Sequence, residues 1–266
     1  TLDATIQPLG MAASYLDKIG RGEIPEKIAD NYSGDFESIK NSINSCIDGL
    51  GALVEGRGVL AKMSLNDYTV KVEGSYQGIY SEIADSINHV GDRVNHVIEI
   101  VKRVSGGILD DLEELRKIGR LSDQDELMPS VILMIETITD LIEETSLLSE
   151  NAVNGDLAAR GNAEKFNGEY RSVINGINNT LDAITAPIQE ASAVLQEIAK
   201  GNLQIKMKGE YNGDHAEIKH ALNETIENLQ SYVGEITRVL ADMGAGNLDQ
   251  HISADYKGDF VEIKNS

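Results

Sequence analysis

The sequence predicts an all-α protein of about six helix–connector–helix units, stacked as parallel four-helix (dimeric) coiled-coil bundles joined by continuous helices. Three observations predict it: an internal repeat of about 45 residues, narrow apolar stripes at heptad spacing, and few large aromatics.

The repeat is written in two signatures. YSGDFESIKNS at 32–42 returns as YKGDFVEIKNS at 256–266, with graded copies between them: YQGIYSEIADSIN ending at Asn88, FNGEYRSVINGIN at Asn178 and YNGDHAEIKHALN at Asn223. The signature glycines are Gly34, Gly78, Gly168, Gly213 and Gly258, separated by 44, 90, 45 and 45 residues. The double gap implies a third copy without the signature, and it holds Val131, Ile135, Ile138 and Ile142 at helical spacing. A second signature places an apolar residue two after a glycine and another four further on. It reads Gly22, Ile24, Ile28; Gly106, Ile108, Leu112; Gly201, Leu203, Met207; and Gly246, Leu248, Ile252. Copy two departs from it in MSLNDYT, with Met63 in the glycine's place. Copy four keeps Gly155 and Leu157 but puts Gly161 at the second apolar place. TLDATIQP at 1–8 is matched by TLDAITAP at 180–187.

Each copy has an apolar stripe on either side of its connector. Upstream these are Leu9, Ala12, Leu16 and Ile19; Ile188, Ala191, Leu195 and Ile198; and Val233, Ile236, Leu240 and Met243. Downstream they are Ile39, Ile43, Cys46 and Leu50; Ile83, Ile87, Val90 and Val94; and Val173, Ile177, Thr180 and Ile184. Two apolar places per heptad cover a slim seam, so two helices of one chain need two more from a second. A connector of about a dozen residues exceeds a tight antiparallel turn and is long enough to run back along the bundle, leaving both helices pointing the same way. The acidic residues Asp35, Glu169, Asp214 and Asp259 open the second helix, where the dipole favours them. No turn residues separate one unit's second helix from the next unit's first, which predicts continuous helices. Gly49, Gly51, Gly56 and Gly58 predict a loose or bent stretch, and Pro187 a kink or a helix start. The units this defines are 1–52, 53–98, 99–140, 141–186, 187–231 and 232–266. The third is divergent, and the sixth is cut in mid-signature, as in a piece of a longer array.

The 266 residues carry 23 Lys plus Arg against 44 Asp plus Glu, a net charge of −21. That surface repels phosphate backbones and anionic headgroups, which argues against nucleic acid and membrane-surface partners. Aromatics make up 5%, with three Phe and no Trp, few for one compact core but sufficient for helix pairs filled with Ile, Leu, Val and Ala. The single cysteine, Cys46, excludes an internal disulfide framework and fits a reducing compartment. The longest aliphatic run, 131–135, falls far short of the roughly 18 residues of a membrane span, and no signal peptide opens the chain.

Catalytic and ligand motifs find little support. His89 and His96 share a helix face without a third ligand, and His215 and His220 diverge. DNYSGD lacks the alternating oxygens and closing Glu of a calcium loop, and GRGEI lacks the strand and helix of a phosphate loop. The adjacent glutamates of IEETS and LEEL are what acidic composition supplies, and the run Asp110–Glu114 reads as a solvated face. No catalytic residue, cofactor or metal is expected.

An amphipathic helix, a glycine-x-apolar connector, an acidic opening to a second amphipathic helix and an Asn about nine residues into it resemble a HAMP domain. The Asn falls at Asn44, Asn88, Asn178 and Asn223, with Glu136 in its place in copy three. The tandem run is similar to the poly-HAMP arrays of methyl-accepting chemotaxis proteins and some sensor histidine kinases, and it covers essentially the whole chain. The family's acidic pair appears here as Gly-Asp or Gly-Glu followed by an aromatic or His. The resemblance implies a non-catalytic, cytoplasmic relay, within a soluble or membrane-anchored chemotaxis-type receptor. It implies a parallel homodimer, with an upstream sensor and a downstream signalling module as further partners, and the connector glycines, their apolar anchors and the helix-two Asn as the signalling residues. Faithful copies alternating with divergent ones imply two bundle conformations along the stack. A histidine kinase segment and a static coiled-coil spacer are the alternatives.

Overall fold

The computed structural model describes residues 2–265, with side chains from Ile6 onward. Among the described residues it is helical without strands, and it divides into two compact units, Thr1–Ile135 and Glu136–Ser266.

The first unit contains α1 (Leu2–Gly20), α2 (Asp35–Met63), α3 (Ile79–Ser105), α4 (Leu112–Ile118) and the start of α5 (Leu127–Val153). The rest of α5 belongs to the second unit, with α6 (Gly168–Ala199), α7 (Asp214–Gly244) and α8 (Val261–Asn265). The α2, α3, α5, α6 and α7 helices each run unbroken from one connector to the next.

Small cores form where a connector lies on its helices. Ala12, Ile28, Ile43 and Ile47 make one, Val59, Met63, Val72 and Ala84 a second, and Ile100, Leu115, Met128, Val131 and Ile135 a third. In the second unit Val194, Met207 and Ile226 do the same. Burying an Ile or Met side chain contributes about 1.5–3 kcal/mol, so Ile28 and Met207 each help substantially to fasten their connectors.

The α2 helix continues through its four glycines, and two of them face close neighbours. A Cβ on Gly56 would lie 2.6 Å from Ile87 Cδ1, and one on Gly49 2.3 Å from the Tyr80 ring. From the α3 side, a Cβ on Gly91 would lie 2.7 Å from Met63 Cε. The glycines let α2 and α3 approach, and that packing offsets their conformational cost of roughly 0.5–1 kcal/mol each. Pro187, buried inside α6, does not open a helix.

The third connector, 106–126, departs most from the others. It contains α4, whose Leu115 is buried where an extended connector would place its anchor. The α5 helix then starts under a local cap, with Asp125 Oδ1 accepting from the Leu127 and Met128 amides at 3.0 and 3.3 Å. The signature glycine missing from this copy has a backbone equivalent in Gly119, whose φ of 58° and ψ of −146° resemble the 61° and −135° of Gly34.

Candidate functional site

Every connector begins with a residue in the left-handed region. These are Gly22 (φ 81°), Asn66 (65°), Gly107 (78°), Gly155 (83°), Gly201 (83°) and Gly246 (92°). Each closes its helix by the same pair of backbone bonds. The Gly201 N–H donates to the Ile198 carbonyl at 2.8 Å, and the Asn202 N–H donates to the Glu197 carbonyl at 2.9 Å. Asn66 is the one non-glycine, and Asn tolerates this conformation better than other side-chain-bearing residues.

Six residues on, the connector meets the helix-two Asn. Asn44 Oδ1 accepts from the Ile28 N–H at 2.8 Å while its Nδ2 donates to the Ile28 carbonyl at 3.1 Å. Asn88 holds Val72 in the same way, Asn178 holds Gly161 and Asn223 holds Met207. One amide side chain thereby satisfies both backbone groups of a residue that has left regular structure, at a place too buried to leave them unpaired. A second amide acts nearer the connector's start: Gln230 donates to the Leu203 carbonyl, and Asn95 to the Tyr68 carbonyl at 2.6 Å. Ion pairs repeat as well, Lys27–Asp48, Lys71–Asp92, Arg160–Asp182 and Lys206–Glu227 each joining a connector to its second helix.

These bonds fix the chain direction. Leu203 meets Gln230, Met207 meets Asn223 and Gly209 meets Lys219, so the connector runs opposite to α7. Its far end, Lys208 and Gly209, returns to Glu190, upstream on α6. The two helices of this copy therefore lie parallel.

Glu190 was not among the residues singled out from sequence. Its carboxylate accepts from the Lys208 and Gly209 amides at 2.7 and 3.2 Å and from the Tyr211 hydroxyl. Glu55 takes the Glu73 and Gly74 amides and the Tyr76 hydroxyl, and Glu235 takes the Ser253 and Ala254 amides. Glu144 takes the Asn162 amide, and because Phe166 has no hydroxyl, Lys165 Nζ completes the set at 2.8 Å. Each Glu stands eleven residues before its left-handed residue, a register that gives the signal for finding it. The donors hold all four carboxyls below the ordinary range: the Tyr211 hydroxyl foremost for Glu190, the Glu73 amide for Glu55, the Lys165 ammonium for Glu144 and the Ser253 amide for Glu235. Bonding to the carboxylates pushes the Tyr76 and Tyr211 phenols up.

Gly22, Gly155, Gly201 and Gly246 sit at the left-handed corners, and Ile28 and Met207 are buried beneath their connectors. Ile252 is half-buried, as are Leu157 and Leu203, whereas Ile24 and Leu248 are exposed. Two placements are corrected. In copy two the corner is Asn66 and not Met63, which restores the pattern as Asn66, Tyr68, Val72. In copy three the corner is Gly107, since Gly106 has an ordinary negative φ. That shift leaves Ile108 exposed, while Leu109 packs against the core and Leu112 packs there from the first turn of α4. Asp110, Glu113 and Glu114 are exposed as a solvated face requires, while Asp110 and Asp111 both accept from Arg103.

The apolar seam is only half covered by its own chain. Leu9, Leu16, Leu53, Leu60, Ile188, Leu195, Val233 and Leu240 stand thirteen and six residues before their corners, and all are exposed. Exposed seam residues line shallow grooves, Ile24 and Leu53 with Ile19 and Leu50 in one, Ile188 and Leu195 with Ala191 and Ile218 in another. His215, whose Nδ1 is buried without a hydrogen-bond partner, lines the second groove where other copies carry Phe36, Tyr80 or Phe260.

Among the described residues no helix is long and apolar enough to cross a membrane. No solved structure matches the chain. The HAMP domain family matches it at residues 1–52 and 165–231, stretches that contain the Asn44, Asn178 and Asn223 clasps. HAMP domains are non-catalytic relay modules of sensor and transducer proteins, and over those two stretches the chain is similar to them.

Proposed function

We propose that the whole chain is a signal-relay segment of a chemotaxis-type receptor. In this reading six HAMP-like units, 1–52, 53–98, 99–140, 141–186, 187–231 and 232–266, form parallel homodimeric bundles between a sensor and an output module. The observation that carries it is the row of exposed apolar residues at the same two places before four of the six corners, Gly22, Asn66, Gly201 and Gly246. Leu9 and Leu16 are 51% and 57% exposed, Leu195 53% and Leu240 62%, a cost removed when a second chain covers them. A relay then needs two packings a few kcal/mol apart, biased through shared helices.

The test is made in two steps. Light scattering on the purified chain is expected to give a dimer. Mild oxidation is expected to join two copies through Cys46, which is exposed on the seam. A monomer, or a dimer that Cys46 does not cross-link, removes the parallel bundle. In the full-length receptor, Leu203→Gln or Leu248→Gln is expected to lock or uncouple output while the dimer persists. Normal signalling by both variants contradicts the relay role of these anchors.

A further inference from the structure

The carboxylate eleven residues before the corner is present at four connectors and absent at two. At the first connector the place is held by Met11, which packs against the core of Ala12, Ile28, Ile43 and Ile47 and offers no oxygen. At the third it is held by His96, exposed on α3, beside a connector rebuilt around α4. The middle of the first connector is still clasped, Asn44 on Ile28, as the second, fourth and fifth are by their own Asn. What differs is the connector's second half, next to the start of the following helix. Where the Glu is present, two-point bonding by a charged acceptor ties that half back to the preceding helix at up to three donors. Where Met11 stands, the aromatic hydroxyl turns elsewhere, Tyr32 Oη lying 3.5 Å from Asp30 Oδ2.

We infer that Glu55, Glu144, Glu190 and Glu235 are positioning residues that latch the second half of their connectors, and that the first connector, which lacks the latch, opens there independently of its Asn clasp. The inference stands on bonds within one chain and does not depend on the relay reading. A chain that fails to dimerise leaves it intact.

The division is read by hydrogen–deuterium exchange of single amides, followed by NMR in the full 266-residue chain. In the unaltered protein the Lys208 and Gly209 amides are expected to exchange roughly ten- to a hundredfold more slowly than those of Ala29 and Asp30, after correction for intrinsic rates, the range a charged hydrogen bond supplies. Glu190→Ala is expected to abolish that protection while the Met207 amide, held by Asn223, keeps its own. Glu190→Gln, which retains an acceptor oxygen, is expected to fall between. Met11→Glu is expected to slow Ala29 and Asp30, a gain that a merely structural glutamate does not predict. Unchanged exchange at Lys208 and Gly209 in Glu190→Ala overturns the latch. So does equal loss at Met207, because the connector then lifts as one piece.

Discussion

Asn223 grips both faces of one peptide residue, accepting from the Met207 N–H at 2.8 Å and donating to the Met207 carbonyl at 3.0 Å. Met207 is 2% exposed, so neither backbone group has water to fall back on. Asn223→Ala is expected to cost about 2–4 kcal/mol, because it strands a buried donor and a buried acceptor together. Asn223→Asp keeps the acceptor, loses the donor and sets a charge against the carbonyl, so it should recover little. Denaturant unfolding of the two variants against the parent checks both.

At the fourth connector the backbone itself approaches the helices. Asn178 clasps Gly161, and a Cβ there would lie 2.9 Å from Ile174 Cγ2 and 3.0 Å from Leu148 Cδ1. Gly161→Ala is expected to destabilise by about 1–3 kcal/mol through overpacking, although alanine suits most loop conformations better than glycine does. Thermal unfolding gives the sign directly.

Asn66 occupies the left-handed corner that the other connectors give to glycine. Asn66→Gly relieves the conformation but adds freedom to the unfolded chain, so stability should change by less than about 0.5 kcal/mol. Asn66→Ala should cost about 1 kcal/mol, since alanine gains no local bond in that region. Similar losses in both variants would mean that the side chain, and not its backbone angle, matters.

The four latch carboxyls have folded pKa values below their ordinary range. Their contribution is therefore fully present above the unfolded value of about 4.3 and is lost as pH falls through the depressed folded value. Amide shifts of Lys208, Gly209 and Gly74 should move only at pH values below the ordinary carboxylate value. The Ala29 amide should show no such step. A midpoint above the ordinary carboxylate value contradicts the bonding described.

Much of the fold was legible because repetition exposes register. The glycines at 22, 155, 201 and 246 and the four Asn residues recur at fixed offsets, and the structure puts them at corners and clasps. Copy two was misplaced because a glycine-based pattern slides three residues toward Met63 when Asn66 does glycine's work. Copy three slipped by one because Gly106 and Gly107 are adjacent and only the backbone angle tells them apart. The α4 helix was hidden in a charged run whose acids pair with Arg103, contacts that spacing alone does not disclose. The latch glutamates were hidden by composition, since Glu is common in so acidic a chain and their donors are mostly backbone amides.

The fourth connector holds one residue more than the first between its clasped position and its Asn, and that residue is absorbed near the single turn Ala163–Lys165. A residue added instead inside α2, between Asn44 and Leu53, would swing everything downstream by about 100° about the helix axis. With the insertion placed after Gly49, that glycine would no longer meet Tyr80, and an outward-facing Leu would turn inward relative to the first copy. Length in such a chain is adjustable at its bends and rigidly counted along its shafts, so an engineer splicing these pieces should cut at the bends.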